Sequence, residues 1–554
     1  MTHPLFEKHR ATLERALAAI AERGYWSPYP ESPSPKVYGE GAAEAGKAAF
    51  DALLGKPFDL EQAGTVGTVG RERSPFGFDL GIAYPKPDLD RLFAAVAAAE
   101  AGWKAAGPEA WVGVCLEILQ RVNQSSFAIA HAVMHTTGQA FMMAFQAGGP
   151  HAQDRGLEAV TYAWDEMRRV PAVATWEKPQ GKNEPLRMEK RFRIVPRGVG
   201  LVIGCCTFPT WNGYPGLFAS LATGNAVVVK PHPGAILPLA MTVRIAREVL
   251  KEAGFDPNVV TLVAHEAGDD VAKTLALRPE VKLIDFTGSR ANGEWLEQNA
   301  RQAQVYTEKA GVNQIVVDSA ADLGAVARNV AFSLSLYTGQ MCTAPQNIYI
   351  PAGGIRTAAG QVTFDAVAAS IAEGVRKLLG DPARAVEVLG AVQNDSVLKR
   401  IDAARGLGAI VLDSQSIAHP QFPQAAVRTP LIVQLESADR DKYLSEWFGP
   451  IAFVIRTKDT AESLAIARDA AKRHGALTLS LYATDDKVVE QAIEVAEDAG
   501  VALSINLTGG VFVNQSAAFS DFHGTGANPA ANAALCDAAF VAGRFRVVQH
   551  RRHV

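Results

Sequence analysis

Apolar positions along the chain follow two rhythms. Leu13, Leu17 and Ile20 fall at near-helical spacing, which predicts an amphipathic helix close to the start. Leu89, Leu92, Phe93 and Val96 repeat at i, i+3, i+4 and i+7 and predict another. A longer helix is expected over 109–134 and a further one over 152–171. Residues 25–39, YWSPYPESPSPKVYG, carry four prolines and predict an extended arm. MEKRFRIVPRG, residues 188–198, alternates strongly enough to predict a strand. From 199 the rhythm changes. VGLVIGCC, NAVVVKP, NVVTLVAH and VKLIDFTG are β-rich runs separated by helical stretches such as PLAMTVRIAREVLKEAG. That alternation predicts βαβ units and a parallel sheet buried on both faces, the plan of a doubly wound nucleotide-binding domain. A second alternation spans 450–506: IAFVIRT, a helix over 459–474, ALTLSLYA, a helix over 485–499 and VALSINL. Two α/β lobes imply a cleft between them, a usual place for a ligand.

Size and composition narrow the picture. A chain of 554 residues exceeds what one core usually serves, so two or more lobes are expected. Its 54 basic and 58 acidic side chains nearly balance, which leaves no basic footprint for nucleic acid. No run of about 18 apolar residues predicts a membrane span, and the start carries no secretory leader pattern. The five cysteines (Cys115, Cys205, Cys206, Cys342, Cys536) show neither Cys-x-x-Cys nor zinc-type spacing with histidine. No metal site is expected, and the cysteine usage implies a reducing, cytoplasmic setting.

Candidate chemistry lies at strand ends and in loops. GSRANG, Gly288 to Gly293, follows VKLIDFTG and opens a helix, where small residues let a phosphate approach backbone N–H groups. Its spacing is not the dinucleotide fingerprint, so alone the signal is weak. Lys230 closes the strand of NAVVVKP on the edge where parallel sheets bind ligands. Cys342, in LYTGQMCTAPQN, sits in a loop after a helical run, and capping a helix start there would favour its thiolate. Glu308, in VYTEKAG, is a strand-end carboxylate suited to act as general base. Glu446, in LSEWFGP, lies beside aromatic residues suited to a flat ring. Taken singly, each glutamate reads more simply as a surface charge and each cysteine as a core residue. Cys205 and Cys206 fit strand packing, and Cys115 and Cys536 fit the core. His523, in FSDFHGTG, is a candidate to touch substrate near the cleft mouth.

Together, GNAVVVKP, FTGS, Glu308, GQMCTA and EWFGP occur in the order of the aldehyde dehydrogenase superfamily, which the chain resembles over roughly 85–554. Thirty-four positions separate Glu308 from Cys342, the family's usual spacing of base and nucleophile. CTFPTWNGYPGLFASLATGNAVVVKPHP and FHGTGANPAANAAL resemble the PaaN-type branch, associated with phenylacetic acid degradation. The resemblance implies an aldehyde dehydrogenase-like α/β fold: two doubly wound lobes, cofactor-binding and catalytic, plus a small β oligomerisation element. Implied boundaries are an N-terminal helical and extended extension over 1–84 and a cofactor domain over 85–184 and 199–308. Oligomerisation strands over 185–198 and 543–554 and a catalytic domain over 309–542 complete the plan.

The implied chemistry is oxidation of an aldehyde to a carboxylate with NADP⁺ or NAD⁺. Cys342 forms a thiohemiacetal and then a thioester, and Glu308 activates the hydrolytic water. Lys230, His232 and Pro233 would flank the adenosine ribose, with Phe286, Gly288, Ser289 and Gly293 near the pyrophosphate. Glu446 and Phe448 would hold the nicotinamide end. The implied substrate is a semialdehyde of aromatic degradation, free or CoA-linked, and the implied assembly a homodimer or homotetramer. Two departures stand out. Where the family has the oxyanion-binding asparagine of Pro-Trp-Asn-Phe-Pro, gap-free alignment places Thr207, a hydroxyl donor, with Asn212 five residues further on. Where NAD-preferring members carry a glutamate, this chain has Pro233 beside His232, which removes a charge that repels a 2′-phosphate and favours NADP⁺. Rival readings are a CoA-acylating relative, against which Glu308 argues, and a weakly active cofactor-binding scaffold or substrate carrier.

Overall fold

Apolar side chains on both faces of short strands dictate the two central sheets. The computed structural model describes residues 3–309 and 311–554, so the first two positions of the N-terminal extension and position 310 of the catalytic domain lie outside it. The first sheet has five parallel strands in the edge-to-edge order Val260–Leu262, Val227–Lys230, Val199–Ile203, Val281–Gly288 and Gln304–Lys309. Val199–Ile203 and Val227–Lys230 are buried along their whole length, as expected where helices cover both faces. The order reverses beside Val199–Ile203, a switch point whose carboxyl edge is a usual ligand crevice.

The second sheet has seven strands: Ala409–Leu412, Leu431–Glu436, Ile451–Thr457, Asn347–Pro351, Gln314–Val317, Thr478–Tyr482 and Ala502–Ile505. All neighbours are parallel except the first pair. The expected alternation over 450–506 is therefore the C-terminal part of a larger sheet. A third, antiparallel sheet joins Val173–Gln180, Asn183–Pro196 and Phe545–His553. The boundary expected at 184/185 falls inside this sheet, because Val173–Gln180 pairs along Asn183–Pro196 instead of joining the cofactor lobe.

Two helical expectations need correction. The helix expected over 109–134 is two, Pro108–Gln124 and Ser126–Thr137, separated at Ser125. The proline-rich arm includes a one-turn helix, Pro35–Tyr38, because Ser34 caps it and Pro35 takes the first position, where proline is tolerated. The N-terminal helix is present as Arg10–Glu22, and Leu89–Ala106 follows the cap of Asp88.

The N-terminal extension belongs to the cofactor lobe's core. Gln62 donates to the Leu262 carbonyl at 2.8 Å and accepts from its N–H at 3.0 Å, covering an edge strand. Glu72 accepts from the N–H groups of Ile236 and Leu237 at the start of the Leu237–Glu252 helix. At the other end of the chain, buried Arg544 grips Asp285 with two hydrogen bonds of 2.6 and 2.8 Å, tying the C-terminal segment to the same sheet. No described helix is long and apolar enough to cross a membrane.

Candidate active site

Three segments distant in sequence converge on Cys342. The helix Leu323–Ser335 ends in a tight turn where Tyr337 and Thr338 take φ of 52° and 51°. Such angles are uncommon for side chains other than glycine, so the surroundings must hold them. The Tyr337 hydroxyl donates to the Thr137 carbonyl, and the Thr338 hydroxyl donates to the Leu389 carbonyl. Gln340 donates to the carbonyls of Tyr337 and Ala391 and accepts from the Gln393 N–H. Asn313 donates to the Cys342 carbonyl at 2.7 Å and the Ala344 carbonyl at 3.1 Å. The loop is fixed by amide side chains. It starts no helix, since the chain runs on into the strand Asn347–Pro351. The expectation that Cys342 caps a helix therefore fails.

Glu308 is 5% exposed near the end of Gln304–Lys309. The segment 530–532 clamps this strand: Lys309 N–H donates to Ala530, and Asn532 N–H to Thr307. One carboxylate oxygen accepts from the Asn212 amide at 3.1 Å, the other from His523 Nε2 at 3.0 Å. His523 Nε2 also lies 3.7 Å from the Cys342 sulfur. The His523 backbone is pinned to Leu535 by reciprocal hydrogen bonds of 2.8 and 3.0 Å. Its ring meets the edge of Trp211, whose own face carries the Arg155 guanidinium.

The electrostatics follow from this packing. Burial alone would raise the Glu308 pKa. His523, a hydrogen bond from Cys342 and the Arg155 charge overcome it, so the net direction is down. Burial pushes the Cys342 thiol well up, and the Glu308 charge pushes it further. The resting arrangement is a thiol beside a carboxylate, not the helix-stabilised thiolate expected. Sulfur, imidazole and carboxylate lie within 4.8 Å of one another, a set that also suits a divalent metal ion. Zinc-type spacing could not reveal it, because the three come from separate segments.

The structure brings Glu308 to Cys342, as expected, and adds His523 and Asn212. Thr207 is different. Its carbonyl accepts from Gln139, and no hydrogen bond joins it to Cys342 among the described residues. Asn212 reaches the centre without any loop rearrangement, because it projects from the first turn of the helix Pro209–Ala222. His523 is buried at the centre, not at a cleft mouth. Cys205 and Cys206 lie beyond the strand end in a loop, and the Cys205 thiol contacts the Asn212 carbonyl oxygen at 3.7 Å.

Of the residues expected around a nicotinamide dinucleotide, Lys230, His232, Pro233, Phe286, Gly288 and Ser289 lie at or just past the carboxyl ends of strands of the five-stranded sheet, and Glu446 and Phe448 on the turn before Ile451–Thr457 of the seven-stranded one. Lys230 is 5% exposed, has no ion-pair partner among the described residues, and is pushed down to about 8 by burial. A buried ammonium without a carboxylate suits ribose hydroxyls or a phosphate. His232 is pushed down to about 4 by burial, Lys230 and His265, and its Nδ1 accepts from the Gly234 N–H. It is therefore neutral, and Pro233 beside it brings no charge. Ser289 caps the helix Arg290–Asn299. A Cβ at Gly288 would come within 2.8 Å of the Phe286 ring, and one at Gly293 within 2.5 Å of Lys309. Those contacts explain the small residues at this strand-to-helix turn. Glu446 is half-buried, and burial raises it to about 7, with Arg400 and the Gly311 N–H offsetting only part. Arg400 donates to the Phe448 carbonyl at 2.7 Å and so fixes the turn. Glu446 is close enough to Cys342 for its charge to act on the thiol, which links this edge to the reaction centre.

A family model described as the aldehyde dehydrogenase family matches residues 83–527. A crystal structure described as an NAD-dependent aldehyde dehydrogenase from Burkholderia multivorans is 70% identical. It covers 100% of both chains with a TM-score of 0.99. A 1-pyrroline-5-carboxylate dehydrogenase of Bacillus cytotoxicus is 28% identical over 50% of this chain and 53% of its own, so the match spans about half of that curated relative. An N-succinylglutamate 5-semialdehyde dehydrogenase of Burkholderia lata is 27% identical over 73% of this chain and 78% of its own.

Proposed function

The chain belongs to the aldehyde dehydrogenase family, and on that premise we propose that it oxidises an aldehyde to a carboxylate through a covalent Cys342 intermediate. The observation that carries this reading is Cys342 beside a buried Glu308 whose two oxygens are held by Asn212 and His523. Glu308 takes the thiol proton, and the Cys342 sulfur attacks the aldehyde carbon to give a thiohemiacetal. A nicotinamide, held by the residues named below, would supply the acceptor for the hydride of this carbon, and Glu308 would release its proton. Cys342 then carries a thioester. Glu308, a carboxylate again, takes a proton from water as the water attacks, and the acid leaves with the thiol restored. The buried base is what separates this course from transfer of the acyl group to CoA.

Lys230 holds the adenosine ribose, and the start of the Arg290–Asn299 helix receives the pyrophosphate. Glu446 and Phe448 hold the nicotinamide end. Either NAD⁺ or NADP⁺ fits. Pro233 supplies no carboxylate against a 2′-phosphate, and neutral His232 supplies no cation for one. The 70% identical structure is described as NAD-dependent. The substrate is a semialdehyde of aromatic degradation, free or CoA-linked, as the PaaN-type motifs imply, and the setting is cytoplasmic. The antiparallel sheet of Val173–Gln180, Asn183–Pro196 and Phe545–His553 is the surface through which a homodimer or homotetramer forms.

Absorbance of reduced nicotinamide tests the reading, with NAD⁺ and NADP⁺ in parallel and with simple, aromatic and CoA-linked semialdehydes. Turnover that disappears in Cys342→Ala is expected. No turnover with any aldehyde, despite cofactor binding, would overturn it in favour of a scaffold.

A further inference from the structure

The reaction centre contains one buried imidazole that the chemistry above uses only to hold Glu308. His523 Nε2 lies 3.0 Å from a carboxylate oxygen and 3.7 Å from the Cys342 sulfur. A carboxylate only accepts hydrogen bonds, so Nε2 carries the hydrogen and the ring is a donor toward this pair. The other carboxylate oxygen is already taken by Asn212. Nothing about this imidazole is loose. Its backbone is paired with Leu535 in both directions, and Trp211 meets its ring at 4.6 Å between centroids.

We propose that His523 is a third catalytic side chain, whose Nε2–H passes from Glu308 to the Cys342 sulfur when the thiol proton moves to Glu308. In that step the S–H bond breaks, its electron pair stays on sulfur, and an O–H bond forms on Glu308. No oxidant is needed and the imidazole keeps its proton. The carboxylate loses its charge as the sulfur gains one, so the better acceptor for Nε2–H changes from oxygen to sulfur. The role matters here because no hydrogen bond joins Thr207 to Cys342 among the described residues, and the Cys342 loop runs into a strand and so caps no helix of its own. The charged and titratable groups facing the sulfur are Glu308 on its strand, Glu446 on its turn, Cys205 in the loop before the Pro209–Ala222 helix, and Arg155 behind Trp211. Among the described residues, the polar hydrogen-bonding group found beside the sulfur is His523 Nε2, at 3.7 Å.

This assignment rests on the proposed covalent chemistry, but its test does not need turnover. Alkylation of Cys342 by iodoacetamide would be followed by peptide mass spectrometry across pH in wild type, His523→Phe and His523→Gln, without cofactor. The phenylalanine keeps a ring against Trp211 and removes the donor, while glutamine keeps an N–H. His523→Phe should alkylate about tenfold to a hundredfold more slowly at neutral pH, with its midpoint moved upward, and His523→Gln should recover most of the rate. A wild-type profile in His523→Phe would overturn the proposal, as would equal slowing in both variants with unchanged thermal unfolding. If wild type oxidises no aldehyde yet His523→Phe shifts the profile, the dehydrogenase reading fails and this assignment stands.

Discussion

The reaction centre and the cofactor edge of the same cleft handle buried charge in opposite ways. At the centre, Glu308 is surrounded by donors and its pKa moves down despite near-complete burial. At the proposed cofactor edge, Lys230 and Glu446 move toward neutrality, to about 8 and about 7: burial acts on Lys230 alone, and Arg400 and the Gly311 N–H offset the burial of Glu446 only in part. Burying a polar group costs free energy unless a partner replaces water. The first region meets that cost with its own residues. The second leaves it to be met by whatever binds. On the proposed function, the contrast separates side chains that must be ready before substrate arrives from those whose partner is the ligand.

The largest break of the comparison is at the centre. Cys342→Ala should abolish turnover while leaving cofactor binding intact, since no cofactor-side residue depends on the sulfur; equilibrium fluorescence titration with reduced nicotinamide checks the second half. Glu308→Gln should lower steady-state turnover by about 10²–10⁴-fold. It should also let a thioester accumulate on Cys342, visible as a mass increase of the intact protein after one hydride is transferred. Loss of turnover with no accumulated acyl group would instead place the essential role of Glu308 before hydride transfer.

The next break distinguishes the two candidates for the missing oxyanion asparagine. Asn212→Ala should reduce kcat by about tenfold to a hundredfold, through loss of one donor on Glu308. Thr207→Ala should change it less than about threefold, because no hydrogen bond joins Thr207 to Cys342 or Glu308 among the described residues. The reverse ranking would return the oxyanion role to Thr207.

That ranking bears on what the sequence could disclose. The cofactor lobe was readable because its strands are continuous apolar runs with helices between, and Cys342, Glu308, Lys230 and Glu446 sit in local motifs. Asn212 and His523 were not readable as partners of Glu308, because 96 and 215 positions separate them from it. Gap-free alignment put Thr207 at the centre by counting positions. The fold sets Asn212 against Glu308, since a helix starting at Pro209 turns that side chain inward. The Cys342 microenvironment was misread for a similar reason. A loop cysteine after a helix looks like a thiolate at a helix start, but the chain enters a strand and the neighbouring charge is negative. Most of the seven-stranded sheet was missed because its strands come from non-adjacent stretches, with Gln314–Val317 and Asn347–Pro351 lying beside strands more than a hundred residues later.

The cofactor edge gives a smaller effect, on affinity before rate. Lys230→Met should raise the cofactor KM by about tenfold with kcat little changed, the pattern of lost ground-state binding. A fall in kcat as large as the change in KM would show that Lys230 also serves the transition state.

The finest test uses the protonation of both of these groups. Glu446 is raised to about 7, so its carboxylate is ionised above that value and loses its charge as pH falls through it. Lys230 is lowered to about 8, so its ammonium is charged below that value and loses its charge as pH rises through it. If the first accepts from ribose hydroxyls and the second donates to the cofactor, affinity should peak between the two values and fall on both sides. Each limb is bounded at about tenfold per pH unit, since one proton is involved. Glu446→Gln should flatten the acid limb alone, and Lys230→Met the alkaline limb alone. The alkylation profile of Cys342 should keep the same form in Lys230→Met, because Lys230 is not among the groups acting on that sulfur. In Glu446→Gln the thiol should ionise more readily, since a repelling charge is gone. A Lys230 variant that shifted the alkylation midpoint would mean the two regions titrate as one network, and the division between a prepared centre and a ligand-completed edge would fall.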